Sequence, residues 1–381
     1  MAYNMKILIV NHHLVNFAGT EVFTLELAKG LKRRGHKVVI YSKFIDKLAP
    51  FFDREDIKFT NNLSLLKEEF DIAHVHHNIS AIEVRNAFPH LPIFYLSHGT
   101  INFLEQPPQI DVNISRYGAV SPYIKNKLHK QGIPLHRIDI VNNIVDEKRF
   151  KPKRKLHDIP RRALILSAKM DEEKEKIVRE ACKKLNIKVN AVGGRFGEVA
   201  YYGIPYEINK ADIVFSIGRG VIESMMCGRI PIVYDIFGGD GMVNEINMDT
   251  LKKRNFTGKT YAKNYTVKEL IKEMQKYRKE QGEILHQTAL KNFSLESQIP
   301  IIENIYKKTI AGHTNKKFDK DSLASYINTI KISILYQSQI RPSRLRNQVQ
   351  NYRQELNEIK SSKFFKLWPL YVQVKNFFKF N

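Results

Sequence analysis

The sequence predicts an α/β protein built as two successive doubly wound units facing a cleft, followed by a helical tail. Strand-like apolar runs alternate with helical patterns from Lys6 to Val141, which predicts a parallel sheet with helices on both faces. A basic, Pro-containing stretch over residues 148–162 then breaks the periodicity. The alternation restarts at Ala163 and continues to Tyr234.

In the first unit, Lys6–Val10, Lys37–Ser42, Ile72–His76, Ile93–Ser97, Gly118–Ser121 and Ile138–Val141 read as strands. Glu21–Arg34 has helical apolar spacing and stops at Gly35. The stretch KRFKPKRKLHDIPRR that follows lacks the aromatic interleaving of a nucleic-acid surface and reads as a solvated hinge. In the second unit Ala163–Ser167, Lys188–Val192, Ile213–Ile217 and Ile230–Tyr234 are strands, with helices at 172–185, 221–227 and 267–281. Residues 294–310 form a last helix of the body. The expected domains are a first Rossmann-like unit over 1–155, a second over 156–293, a closing helix over 294–312 and a basic tail over 313–381.

A chain of 381 residues can bury a real core. Its net charge of +23, from 62 basic and 39 acidic residues, suits anionic partners. Cys182 and Cys227 both lie in apolar helical patterns, make no disulfide framework and fit a reducing compartment. The N-terminus runs straight into a strand without the h-region of a signal peptide, and no apolar run reaches about 18 residues. A cytoplasmic protein without a membrane span is expected. In the tail, Leu345, Val349, Tyr352, Leu356 and Ile359 make a short a/d seam, suited to self-association or to a packed hairpin helix. Phe364, Phe365, Trp368, Tyr371, Phe377, Phe378 and Phe380, mixed with lysines, resemble an interfacial segment on the anionic inner face of a membrane.

The most informative stretch is Ala211 to Asn244. An apolar run ends in Gly218-Arg219-Gly220, and a short helical pattern with one acid, Glu223, follows. A second apolar run empties into what reads as a Gly-rich loop, Gly238-Gly239-Asp240-Gly241. A strand, Gly turn and helix aim free backbone N–H groups at an anion. The acid one turn on can accept hydrogen bonds from sugar or ribose hydroxyls. A diphosphate flanked by hydroxyls describes a nucleotide-sugar. Glycines that only make tight turns are the bland alternative; Arg219 inside the turn and the second Gly cluster favour a ligand. Elsewhere, His74, His76 and His77 lack a carboxylate or cysteine to complete a metal set, and read as strand-end packing. His12 and His13 end the first strand and face the expected cleft.

These residues resemble the GT-B glycosyltransferases, with the retaining family-four group the nearest pattern, over residues 5–310. Phe17-Ala18-Gly19-Thr20-Glu21 sits where that family has a Gly-Gly-x-Glu turn, with one glycine kept. Asp71-Ile-Ala-His74-Val-His76 and Ser97-His98-Gly99 match a strand and a histidine turn of the family. Ser167-Ala168-Lys169-Met170-Asp171…Lys174 resembles the basic pair that clamps the donor diphosphate, with Lys169 replacing the usual Arg. Glu223-Ser-Met-Met matches the second acid of the paired-glutamate motif. The first acid is missing, and Phe215 stands in its place.

The resemblance implies His98 as the catalytic-side histidine. It implies donor contacts from Lys169, Lys174 and Glu223, beside the anion-binding turn Gly218-Arg219-Gly220 read above, and a phosphate or acceptor loop at Gly19 and Thr20; with the first acid missing, Asp240 is the residue expected to take over a sugar contact. It further implies transfer of a sugar from a nucleotide-sugar to a hydroxyl of a saccharide or lipid-linked acceptor, in surface polysaccharide or glycolipid synthesis, with no cofactor and no metal. Rival readings are a sugar-nucleotide epimerase of the same fold and a non-catalytic binding protein on a degenerate transferase fold.

Overall fold

The structure, a computed structural model, describes residues 4–197, 199 and 201–316. The seam at 345–359 and the aromatic stretch beyond 363 lie outside the described residues.

The first unit runs β1 (Lys6–Val10), β2 (His13–Leu14), α1 (Gly19–Arg33), β3 (Lys37–Tyr41), β4 (Phe44–Ile45), α2 (Ala49–Arg54), β5 (Lys58–Thr60), β6 (Ile72–Val75), α3 (Asn78–Ala87), β7 (Ile93–Ser97), β8 (Arg116–Ala119), α4 (Pro122–Lys130) and β9 (Ile138–Ile140). Seven of these strands form one parallel sheet in the order β5-β3-β1-β6-β7-β8-β9. The composition of β1 suits its interior place in this order. Ile7, Leu8, Ile9 and Val10 are all fully buried, as a parallel strand covered on both faces requires. Each such side chain contributes about 1.5–3 kcal/mol on burial. Direction along the sheet reverses between β1 and β6, so a ligand crevice is expected above their carboxyl ends.

The second unit runs β10 (Arg162–Leu166), α5 (Glu172–Lys184), β11 (Lys188–Val192), α6 (Ile204–Lys210), β12 (Ile213–Ser216), α7 (Arg219–Met226), β13 (Ile230–Asp235), β14 (Gly238–Met242), α8 (Met248–Lys252), α9 (Val267–Met274), α10 (Glu280–Phe293) and α11 (Leu295–Ala311). Its five-stranded sheet has the order β11-β10-β12-β13-β14, with β14 antiparallel to β13. Here the reversal falls between β10 and β12.

Three expectations need correction. Gly238–Gly241 is not a loop but β14 itself. Its glycines are needed because Tyr234, Tyr265 and Glu273 press against the strand: a Cβ on Gly241 would stand 2.6 Å from Glu273 Oε1. The helix expected over 267–281 ends at Met274, where Tyr277 turns to donate to His157 O (2.8 Å), and a separate helix then covers 280–293.

The stretch 148–162 is an ordered strap rather than a solvated hinge. Arg154 donates to the carbonyls of Asn209, Lys210 and Ala211 and pairs with buried Asp212 (2.8 Å). Burial alone would raise the Asp212 carboxyl. The Arg161 N–H, Arg154 and His157 outweigh it and hold the group below its ordinary value.

The chain passes between the two sheets twice. The passages touch: Val145 N–H donates to Phe293 O and Leu295 N–H donates to Glu147 Oε2, both at 2.8 Å. Helix α11 thus returns to the first unit, where Tyr306 OH meets His74 Nδ1 (2.5 Å) and Glu303 pairs with Arg34 and His36.

Candidate functional site: the strand ends of the two sheets

On the second sheet, the turn after β10 is fixed by Ser167. Its hydroxyl accepts the N–H groups of Lys169 (3.0 Å) and Met170 (2.8 Å) and donates to Asp235 Oδ2 (2.7 Å) at the end of β13. Lys169 is therefore held by its backbone while its exposed ammonium makes no ion pair among the described residues. Lys174 differs. Its ammonium pairs with Asp171 Oδ2 (2.8 Å), and Asp171 also caps α5 through the Lys174 N–H.

After β12, Gly218 adopts φ 57°, a left-handed conformation that favours glycine, and donates its N–H to Phe256 O (2.8 Å). Helix α7 starts at the next residue. Lys169, in the turn after β10, and Gly218, Arg219 and Gly220, after the adjacent β12, therefore follow neighbouring strands at the reversal of the second sheet. Asp240 does not. It lies on β14, two strands beyond β12, and accepts the N–H groups of Tyr261 (2.7 Å) and Ala262 (3.3 Å). Phe215 is fully buried in the sheet core.

Arg219 does not point freely into solvent. It donates to Glu223 Oε1 (2.7 Å), to Ile144 O (2.8 Å) and to Glu26 of α1. Glu26 is 0% exposed and also accepts Arg149 Nη1 (3.1 Å) and Tyr201 OH (3.3 Å). This group joins α1, the strap and α7. Burial opposes the Arg219 charge, but Glu26 and Glu223 outweigh it and raise the guanidinium further. Burial pushes the Glu223 carboxyl up, against the pull of Arg219 and Arg149. Sequence reasoning missed Glu26, Arg149 and Tyr201, because their partners lie far away in the chain.

On the first sheet, Gly19 and Thr20 open α1. Glu21 accepts the N–H groups of Val15 (3.1 Å), Asn16 (2.9 Å) and Ala18 (2.9 Å), so it shapes this loop rather than facing a ligand. Gly19 is exposed with open space at its α-carbon. His98 follows β7 and meets His76, which follows the adjacent β6 (Nε2 to Nδ1, 3.0 Å). Burial, then the nearby positive charge of Arg219, lower its pKa to about 3. His98 is therefore a neutral hydrogen-bonding group near the start of α7. His74, His76 and His77 are buried at the strand ends, as packing side chains would be, with rings of His74 and His76 4.6 Å apart. No group of three or more His, Cys, Asp or Glu suited to a metal occurs among the described residues. Both cysteines are free and buried, and burial pushes each thiol up to about 12. Among the described residues no helix is long and apolar enough to cross a membrane.

One further carboxylate stands in this region. Glu105 ends the short turn Phe103–Glu105 after His98, is half-buried, and feels the positive charge of Lys169 from the second sheet.

Comparison with known proteins bears on this geometry. Residues 17–149 match the family model described as Glycosyltransferase Family 4. No curated protein matches the chain. A glycosyltransferase from Rickettsia africae ESF-5 is similar in structure, with TM-score 0.57 and 19% identity over 81% of this chain and 99% of that one. Alr3699/HepE of Anabaena, solved in complex with UDP and glucose, gives TM-score 0.57 and 13% identity over 80% of this chain and all (100%) of its own. Sucrose-phosphate synthase from Thermosynechococcus elongatus gives TM-score 0.51 and 12% identity, over 81% of this chain and 100% of that one. The fold is that of the GT-B glycosyltransferases, and residues 17–149 carry the Family 4 match within it.

Proposed function

We propose that the protein transfers a glycosyl group from a nucleotide-sugar to a hydroxyl acceptor. The observation that carries this reading is the reversal of the second sheet, where the turn bearing Lys169 follows β10 and α7 follows the adjacent β12. Negative charge grows on the departing diphosphate, and fixed donors near it lower the barrier. Lys169 and the first N–H groups of α7 are such donors. Neutral His98 can hydrogen-bond the sugar without adding charge. Lys174 reaches the diphosphate only by leaving Asp171, so Lys169 carries more of the contact. UDP and glucose bound to the Anabaena protein support a nucleotide-sugar as donor class.

A thermal-shift array of nucleotide-sugars tests the reading, since a bound donor raises the melting temperature by mass action. Lys169→Ala is expected to weaken donor binding by about 1.5–3 kcal/mol, as for a charge-assisted hydrogen bond, without changing the melting temperature of the free protein. Unchanged donor affinity would remove Lys169 from the site.

The proposal extends to the acceptor through the tail. The aromatic residues and lysines of 363–380 suit an anionic bilayer surface, and each lysine contributes about 1 kcal/mol there. This fits a lipid-linked acceptor. Deleting residues 361–381 should abolish sedimentation with anionic vesicles at low salt and leave nucleotide binding intact. A full-length protein that ignores such vesicles would withdraw the lipid-linked acceptor.

A further inference from the structure

We propose that the Glu105 carboxylate binds hydroxyls of the donor's sugar, a role that rests on the nucleotide-sugar reading above. Its turn is held firmly. Ser97 Oγ donates to Gly99 O (2.8 Å) and Glu105 O (3.0 Å), Tyr95 OH donates to Gln106 O (2.7 Å), and Asn78 Nδ2 donates to Phe103 O (2.7 Å). The backbone is therefore pinned on both sides of the side chain. The carboxylate itself is left over: it accepts no hydrogen bond from any described residue.

Its acceptor sites are therefore open to donors from outside the protein, water or a ligand's hydroxyls. The space it occupies is also made for it. Gly99, next to His98, has no side chain, and a Cβ there would collide with Glu105 Oε2. The glycine thus lets the carboxylate lie against the strand-end turn beside the histidine.

The electrostatics choose the ligand class. Burial raises the Glu105 carboxyl, and Lys169 from the opposite sheet pulls it back toward the ionised form. An anion here repels phosphate, so the diphosphate belongs on the Lys169 side. What lies between the diphosphate and the first sheet is the sugar, whose hydroxyls are the donors that an unpaired carboxylate lacks. Two or more such hydrogen bonds to one carboxylate also sort sugars by the placement of their hydroxyls.

The test compares matched ligand pairs by titration calorimetry on the full chain: UDP with UDP-glucose and UDP-galactose, and GDP with GDP-mannose. The wild-type protein should bind at least one sugar conjugate more tightly than its bare nucleotide. Glu105→Gln should cut that sugar increment by about tenfold while leaving the bare nucleotide unchanged, since only a charged acceptor has been lost. Gly99→Ala should do the same with the carboxylate still present, because the added methyl displaces it. Binding of the conjugate at the wild-type level in Glu105→Gln would overturn the proposal, as would an equal loss for conjugate and bare nucleotide. A wild-type protein that binds nucleotide without any sugar increment overturns the Glu105 role alone. One that binds neither overturns the nucleotide-sugar reading and the Glu105 role with it.

Discussion

Replacing Glu26 with glutamine is expected to destabilise the protein by about 3–5 kcal/mol, the range for breaking a buried ion pair from one side. Glu26 is fully buried on α1, and Arg149 and Arg219 both reach it. Glu223 remains to neutralise one positive charge, but the second guanidinium is left without a counter-ion in a largely buried site. Glutamine keeps the shape, so packing loss does not confuse the result. The check is equilibrium unfolding in urea, with Arg219→Met and the double variant completing a cycle. A coupling energy near zero between the two positions would show that the pair is not a unit. The same variant bears on the site, because Arg219 lies close to His98. Loss of Glu26 frees Arg219 to turn toward the cleft.

Asp146→Asn should destabilise by about 3 kcal/mol, the low end of that range, because Glu55 still neutralises Lys29. Asp146 is buried where the first sheet gives way to the strap. It accepts Arg33 twice (3.1 and 2.9 Å), Lys29 (3.0 Å) and the Lys148 N–H (3.2 Å). Burial alone would raise its carboxyl; Arg33 and Lys29 outweigh it and hold the group below its ordinary value. The sign follows. A carboxyl depressed in the folded state contributes stability that is present above its unfolded pKa of about 4 and is lost as pH falls through the folded value. Wild-type stability should therefore drop on acidification below that point. Asp146→Asn should lack this share of the drop and approach the parent at low pH. A constant gap between the two curves down to acid pH would show that the asparagine acts through packing.

Much of the fold was legible because parallel strands leave a plain trace. Runs such as Ile7–Val10 and Ile230–Tyr234 are apolar on both faces, and their limits agree with β1 and β13 to within a residue. The start of α7 and the turn bearing Lys169 were legible for the same reason, since both are local to a strand end. Other parts of the candidate site depend on what meets across sheets. Glu105 looks like any surface acid until Gly99 is seen making room for it. Glu26 sits mid-helix with nothing nearby in the sequence to mark it, because Arg149 and Arg219 arrive from more than a hundred positions away. The Gly238–Gly241 run misled because crowding by Tyr265 and Glu273 asks for glycine just as a phosphate loop would.

The double passage between the sheets has a mechanical consequence. A body tethered to another at one point can swivel about every axis. Residues 145–147 and 293–295 instead run side by side and bond to each other, so the tether is a line. Rotation about that line is the motion the tether itself leaves open, at the cost of parting Glu26 of α1 from Arg219 of α7, whereas twist and slip must also stretch one strand of the pair. Opening is then confined to a single angular coordinate, like a book on its spine. Groups such as His98 and Arg219, set on opposite leaves, part and return along one fixed arc, and each return restores the same register between them.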